Sequence, residues 1–256
     1  MSEKPVVLIL SGVDPTNGAG LGRDILTVRE TGCYPLSVPT VLTVQNSMEF
    51  HSSKAVDIEY IRHSIDLLKD EFSIKAIKTG LVPTDEKWLE EFSQILSDFS
   101  SAIIVDTVIK ATSDNNSSVN ISKQYLNLIT GKNRIITPNL KELKNLHLFA
   151  FQAEDSPKNM AKNISKKFGC LILTTFEGTK DSISITDGNS TESIKIELIN
   201  THESYHGTGC TFSSALASFI ASDYTLSESV KKAATYTSQR ITSALKFNDK
   251  GQYLLY

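Results

Sequence analysis

Two runs, Val6-Val7-Leu8-Ile9-Leu10 and Ala102-Ile103-Ile104-Val105, contain no polar side chain. A strand with one wet face alternates apolar and polar residues. A strand that does not alternate is buried on both faces, as in a parallel sheet covered by helices on either side. The segments around these runs carry the helical repeat instead. Leu21, Ile25 and Val28 recur at that spacing over 19–30, and Ile61, Ile65 and Leu68 over 60–72. Strand-like runs at 37–44, 74–79, 133–137 and 170–174 alternate with helical patterns over 86–99, 121–129, 157–168 and 227–246. Such alternation specifies an α/β fold with a mainly parallel sheet. A short edge strand is expected over 54–58. A hairpin is expected from 182–186 and 193–198 around Asp187-Gly188-Asn189.

Composition narrows the functional classes. Of the 256 residues, 40% are hydrophobic and 21% charged, enough for a sizeable core and against disorder. With no repeat, low-complexity stretch or linker in view, one domain spanning 1–256 is expected. A net charge of −3 without a basic stripe argues against nucleic acid as partner. Cys33, Cys170 and Cys210 are odd in number and far apart. They make neither a metal spacing nor a disulfide framework, so a reducing, cytoplasmic location is expected. The first residues lead straight into an apolar strand without a signal-peptide core, and no apolar run has membrane-spanning length.

The chemistry concentrates in His206-Gly207-Thr208-Gly209-Cys210-Thr211, followed by the apolar run 212–221 with Phe212, Leu216, Phe219 and Ile220 at helical spacing. Glycines before a helix let bare backbone approach a ligand. The first N–H groups of that helix have no internal partner and the helix dipole adds positive character, so the turn suits an anion such as phosphate. Cys210 falls in the first turn, where a thiolate is favoured and a lowered thiol pKa is expected. A glycine turn ahead of a core helix with a buried cysteine is the other reading of the same residues.

Elsewhere each polar candidate also has two readings. Ser11 to Gly20 is a turn-rich loop, but Arg23 stands where a dinucleotide fingerprint needs its third glycine, and no Walker A motif occurs. Asp24, taken alone, reads as a solvated helix charge. Gln45-Asn46-Ser47 closes a strand as turn formers or ligand contacts. Asp106 closes another, at the end of an α/β sheet where ligands bind. Asn139 and Glu142 have the spacing of a capping box.

Taken together these residues resemble the hydroxymethylpyrimidine and phosphomethylpyrimidine kinases of thiamine biosynthesis, within the ribokinase-like superfamily. The resemblance runs over nearly the whole chain: the glycine loop 12–20 continued by Asp24-Ile25-Leu26-Thr27, then Thr43-Val44-Gln45-Asn46-Ser47, Lys78-Thr79-Gly80-Leu81, Val105-Asp106-Thr107-Val108, the Asn139-x-x-Glu142 motif and the 206–211 turn. The chain departs from the family pattern at Ala111-Thr112-Ser113-Asp114-Asn115, at Thr174-Thr175-Phe176-Glu177-Gly178 and around Lys250-Gly251.

The resemblance implies a ribokinase-like three-layer α/β sandwich, ATP and Mg²⁺ as cofactors, a small aminopyrimidine alcohol or its phosphate as acceptor, and a homodimer. It implies an anion hole at Gly207, Thr208 and Gly209 with Cys210 as base, an acceptor site at Gly12, Asp24, Gln45, Leu81 and Val108, nucleotide contacts at Asp106, Asn139 and Thr174, and Glu142 toward the metal. A pyridoxal kinase-like activity and a non-catalytic pyrimidine- or nucleotide-binding member remain as alternatives.

Overall fold

The structure, a computed structural model, describes residues 4–108, 121–174, 181–196, 203–247 and 249–256. The polar stretch 111–118, residues 175–178 and the end of the expected hairpin at Leu198 lie outside the described residues. In chain order the elements are β1 (Val6–Val13), α1 (Gly20–Glu30), β2 (Tyr34–Gln45), β3 (Phe50–Ala55), α2 (Ile58–Glu71), β4 (Ile74–Thr79), α3 (Glu86–Ser97), β5 (Ala102–Val105), α4 (Lys123–Leu128), β6 (Arg134–Ile136), α5 (Leu140–Phe151), α6 (Pro157–Phe168), β7 (Leu171–Thr174), β8 (Ser182–Thr186), β9 (Thr191–Lys195), β10 (Tyr205–His206), α7 (Thr208–Ala221), α8 (Leu226–Thr242) and β11 (Tyr253–Leu254).

The sheet order is β3-β2-β1-β4-β5-β6-β7-β8-β9. The ladders from β2 to β7 are parallel, whereas β3, β8 and β9 join antiparallel. Side chains alternate across the sheet. Leu8 and Leu10 enter one core with α2 to α6, and Val7 and Ile9 enter the other with α1, α7 and α8. Both faces are therefore covered, which is why these strands have no polar face. From β1 the chain crosses to β2 on one side and later to β4 on the other. Ligands bind at such a reversal, beyond the carboxyl ends of the strands.

Four expectations change. β1 runs through Ser11 and Gly12 to Val13, residues that read as loop. The edge strand is 50–55, not 54–58, and all its residues after Phe50 are exposed, so no apolar pattern marked it. On α7 the most deeply buried positions include Ser213, Ser214 and Ser218, while Phe212, Phe219 and Ile220 are only half-buried. Small hydroxyls let this helix approach the sheet and supply donors there. The last helix, expected to reach 246, ends at Thr242, and Leu245 lies beyond it, 42% exposed. Among the described residues no helix is long and apolar enough to cross a membrane.

Candidate active site

Gly12 near the end of β1, Gln45 at the end of β2, Leu81 after β4 and Val108 after β5 line one small cavity with Cys210 of α7. Four separate strand ends thus bring four of the five expected acceptor residues together. Gln45 and Asn46 divide the two readings between them. Gln45 lines the cavity, while the Asn46 side chain accepts from Met48 N at 2.8 Å and Glu49 N at 3.0 Å and makes the turn. Gly12 faces Leu81 so closely that a Cβ on it would sit 3.1 Å from the leucine side chain.

The loop after β1 is tied to the turn before α7 by one carboxylate. Asp14 Oδ1 accepts from Thr16 N and Oγ1, both at 2.9 Å; Oδ2 accepts from Ala19 N at 3.1 Å and lies 2.7 Å from His206 Nε2. Burial alone would raise the Asp14 carboxyl, but the His206 and Thr16 hydrogen bonds outweigh it and hold it below the usual carboxylate range. His206 belongs to β10, which pairs with β11 near the end of the chain. Gly207 follows at φ 88° and lies against the backbone of Gly18. α7 starts at Thr208, directly after the glycine turn, close to where its sequence suggested.

A second cavity, about 330 Å³, opens on the other side of that turn. Thr208, Gly209, Asn139 and Thr174 give its polar edge, and Leu173, Ile183, Phe212, Ala234 and Ile241 its apolar wall. Thr174 Oγ1 donates to Pro138 O at 2.8 Å, fixing the corner where β7 ends.

Behind the turn lies a buried charge cluster. Lys78 and Asp24 are fully buried and paired at 2.7 Å; Asp24 Oδ1 also accepts from Ser214 Oγ at 2.7 Å. Asp106 stands 3.5 Å from the same ammonium and accepts from Ser213 Oγ at 3.1 Å. Burial would lower the Lys78 pKa, but the Asp24 carboxylate at 2.7 Å and the Asp106 carboxylate at 3.5 Å outweigh it and hold the ammonium above its ordinary value.

Two expectations fail here. Asp24 is neither a solvated charge nor a residue lining the acceptor cavity; its helix turns it inward onto Lys78. The Cys210 thiol is pushed up, not down. Burial is the largest cause, Lys78 opposes it, and Asp106 and Asp24 add to it. The helix dipole cannot compensate for the loss of water around a thiolate.

Asn139 and Glu142 do form the capping box. Glu142 N donates to Asn139 Oδ1 and Asn139 N to Glu142 Oε2, both at 2.9 Å. The carboxylate also accepts from Thr107 Oγ1 at 2.8 Å, so it serves more than its own helix. Burial pushes the Glu142 carboxyl up to about 7, with the Asp106 charge adding. Glu142 and Asp106 raise the cost of each other's charge, and such a pair of carboxylates suits a hard divalent cation, which takes oxygen ligands and keeps part of its water.

Lys78, Thr107, Asp14 and His206 all stand inside the motifs that carry the resemblance, but the sequence assigned none of them a role, because each acts through a partner distant in the chain.

A doubly wound sheet with a glycine-led helix start between two cavities defines an α/β protein that can bring two ligands to one helix end. The pyridoxal kinase of Staphylococcus aureus, solved in complex with ADP, superposes with a TM-score of 0.79 at 19% identity, over 100% of this chain and 94% of that one; the fold is the ribokinase-like three-layer sandwich. The phosphomethylpyrimidine kinase family profile matches residues 14–254, and the chain belongs to that family. The thiamine biosynthetic bifunctional enzyme of Arabidopsis thaliana is 30% identical over 248 residues, 93% of this chain but only 46% of that protein. The hydroxymethylpyrimidine/phosphomethylpyrimidine kinase of Bacillus subtilis is 27% identical over 93% of this chain and 89% of its own length. The chain thus spans about half of the plant relative and most of the bacterial one.

Proposed function

We propose that this chain transfers the terminal phosphoryl group of ATP to 4-amino-5-hydroxymethyl-2-methylpyrimidine and then to the resulting monophosphate, in thiamine diphosphate biosynthesis. One observation carries the reading. The first turn of α7 is the wall between the two cavities: Cys210 lines the smaller one, and Thr208 and Gly209 line the larger. An acceptor hydroxyl and a phosphate donor on either side would meet at that turn. Phosphoryl transfer needs positioning and charge stabilisation more than covalent help.

In this reading Gly207, Thr208, Gly209 and Cys210 present backbone N–H groups to the transferred phosphoryl group. Gly12, Leu81 and Val108 hold the ring, and Gln45 reads its polar edge. Cys210, once ionised, takes the hydroxyl proton. Asn139 and Thr174 frame the nucleotide. Glu142 and Asp106 would hold Mg²⁺, which neutralises phosphate charge when bound. The whole chain is read as one kinase domain, since among the described residues one nine-stranded sheet carries both helical layers. A homodimer is supported by Leu42, Val44 and Met48, exposed apolar residues around the β2–β3 edge. A cytoplasmic location is supported by three buried free thiols. The test is ADP release from ATP with the aminopyrimidine alcohol, with pyridoxal, or with no acceptor. Stimulation by the aminopyrimidine above pyridoxal is expected; the reverse order assigns the chain to the pyridoxal kinase-like alternative.

Gln45 tests the acceptor. A carboxamide presents one donor and one acceptor together and matches the ring nitrogen and exocyclic amine of an aminopyrimidine. Gln45→Met keeps the length and removes both. Aminopyrimidine binding is expected to weaken by roughly 1–3 kcal/mol, the cost of unpaired buried polar groups. Pyridoxal, which lacks that edge, is expected to bind as before. Calorimetric titration of both ligands into both proteins decides; unchanged aminopyrimidine affinity removes Gln45 from recognition.

Glu142→Gln is expected to depress turnover and alter its Mg²⁺ dependence with the helix cap intact, because Gln also serves at this position of the box. A pH signature accompanies it. The folded carboxyl titrates near 7 against an ordinary 4.5, so the folded state keeps its proton longer. Stability contributed by the protonated form is complete below 4.5 and is lost as pH rises to about 7, by roughly 3 kcal/mol. Urea melts of wild type between pH 5 and 8, with a chelator present, are expected to show that decline, and Glu142→Gln is expected to stay flat. Parallel curves would place the carboxylate in a wetter setting.

A further inference from the structure

The site described so far leaves Lys78 without a task. We propose that Lys78 is a positioning residue for phosphoryl transfer: its buried ammonium holds and offsets the Asp106 carboxylate, so that a phosphoryl group can rest against the 207–210 turn beside an acid. The inference rests on the kinase reading above.

Lys78 pairs in the parallel register with Ile9, whose side chain faces the α1, α7 and α8 layer. Its own side chain enters that layer just below the turn. A lysine is seldom fully buried unless paired, and Asp24 at 2.7 Å would suffice as a pair. The second carboxylate, Asp106 at 3.5 Å, goes beyond that need. The Asp106 oxygens divide in direction. Oδ2 faces Lys78 and Ser213, while Oδ1 lies against Gly209, where a Cβ would stand 3.6 Å away.

A bare carboxylate so close to an anion-binding helix end would repel the group the turn is shaped to receive. It would also compete for the same partial positive charge. An ammonium behind it offsets that charge within a water-free interior, where such preorganised charges act at full strength. A flexible point charge with three donors can serve two carboxylates at once. Ser213 and Ser214, both on α7, hold Asp106 and Asp24 respectively, so the ammonium is fixed relative to the helix that carries the turn.

The rival reading is that Lys78 only balances Asp24. Lys78→Met alone would strand the Asp24 charge and disturb the fold. The test therefore pairs Asp24→Asn with the double variant Lys78→Met/Asp24→Asn, which leaves neither charge of that pair. Thermal melts report folding, calorimetry acceptor binding, and ADP release kcat and KM, with wild type alongside. Asp24→Asn, with Lys78 still facing Asp106, is expected to keep kcat within about threefold. The folded double variant is expected to lose about 10²-fold in kcat, the scale of one removed transition-state stabiliser, with acceptor KM nearly unchanged. A double variant with wild-type kcat assigns the lysine to Asp24 alone and overturns the proposal. If the double variant does not fold, Asp24→Asn decides: a loss as large as a hundredfold there overturns the proposal, and retained turnover supports it. Absence of turnover in wild type itself defeats the kinase reading and this inference with it.

Discussion

Cys210→Ala is expected to lower the rate of the first phosphorylation by about 10²–10⁴-fold, the span for loss of a general base. Acceptor binding is expected to remain, because the sulfur is only one wall of its cavity. The structure adds a second, sharper signature. Burial keeps the resting side chain a neutral thiol, and the neighbouring Asp106 and Asp24 charges reinforce this against Lys78. Only the ionised sulfur can take a proton, so wild-type kcat/KM is expected to climb with pH through the neutral and alkaline range. The alanine variant has no such group, and its profile is expected to level off above the Glu142 titration near 7 where wild type keeps climbing. Cys210→Asp, which supplies a carboxylate at the same place, is expected to lose less than alanine. Steady-state rates of the three proteins across pH check this. An alanine variant at full rate removes the sulfur from the mechanism and leaves the turn as a positioning device.

The same residue shows where sequence reasoning succeeds and where it stops. Local features were legible because local forces set them. The runs 74–79 and 157–168 became β4 and α6 with the expected bounds, and the Asn139–Glu142 spacing became a capping box. The convergence of Gly12, Gln45, Leu81 and Val108 followed from the family resemblance, since residues this far apart meet only through the sheet order. What was missed depends on partners across the fold. A first-turn cysteine reads as activated until the depth of α7 is known. Asp24 stands at i+3 from Leu21 and i−4 from Val28, so its place on the inner face was legible, but its charge argued for solvent. The fully buried Lys78 that resolves that conflict is 54 positions away. Edge strand 50–55 carried no buried pattern because its pairing, not its side chains, makes it a strand.

Gly207→Ala carries the other large expected effect, and it tests the turn itself and not the chemistry beside it. Gly207 has φ 88°, a backbone region that costs an L-residue about 1–2 kcal/mol. A Cβ there would also collide with the carbonyl oxygen of Gly18, which is backbone and cannot rotate away. Either the 14–20 loop or the turn must retreat, and the two are tied by the Asp14–His206 hydrogen bond at 2.7 Å. Stability is therefore expected to fall by about 2 kcal/mol or more, combining conformational strain with displaced packing. Turnover is expected to fall by about 10²-fold or more even in the folded fraction, since a 1 Å displacement of a positioning group can cost that much. Gly209→Ala separates the two consequences. Its backbone is not in the positive-φ region, and a Cβ there meets only ordinary contact, the nearest atom being Asp106 Oδ1 at 3.6 Å. That variant is expected to melt close to wild type while losing turnover, because the methyl group stands where a phosphoryl group would approach the helix end. Denaturant melts and ADP release on both variants provide the comparison. If Gly207→Ala folds with wild-type stability and turns over normally, the close approach of the two loops is not what shapes the anion site, and the N–H groups of α7 alone must carry it.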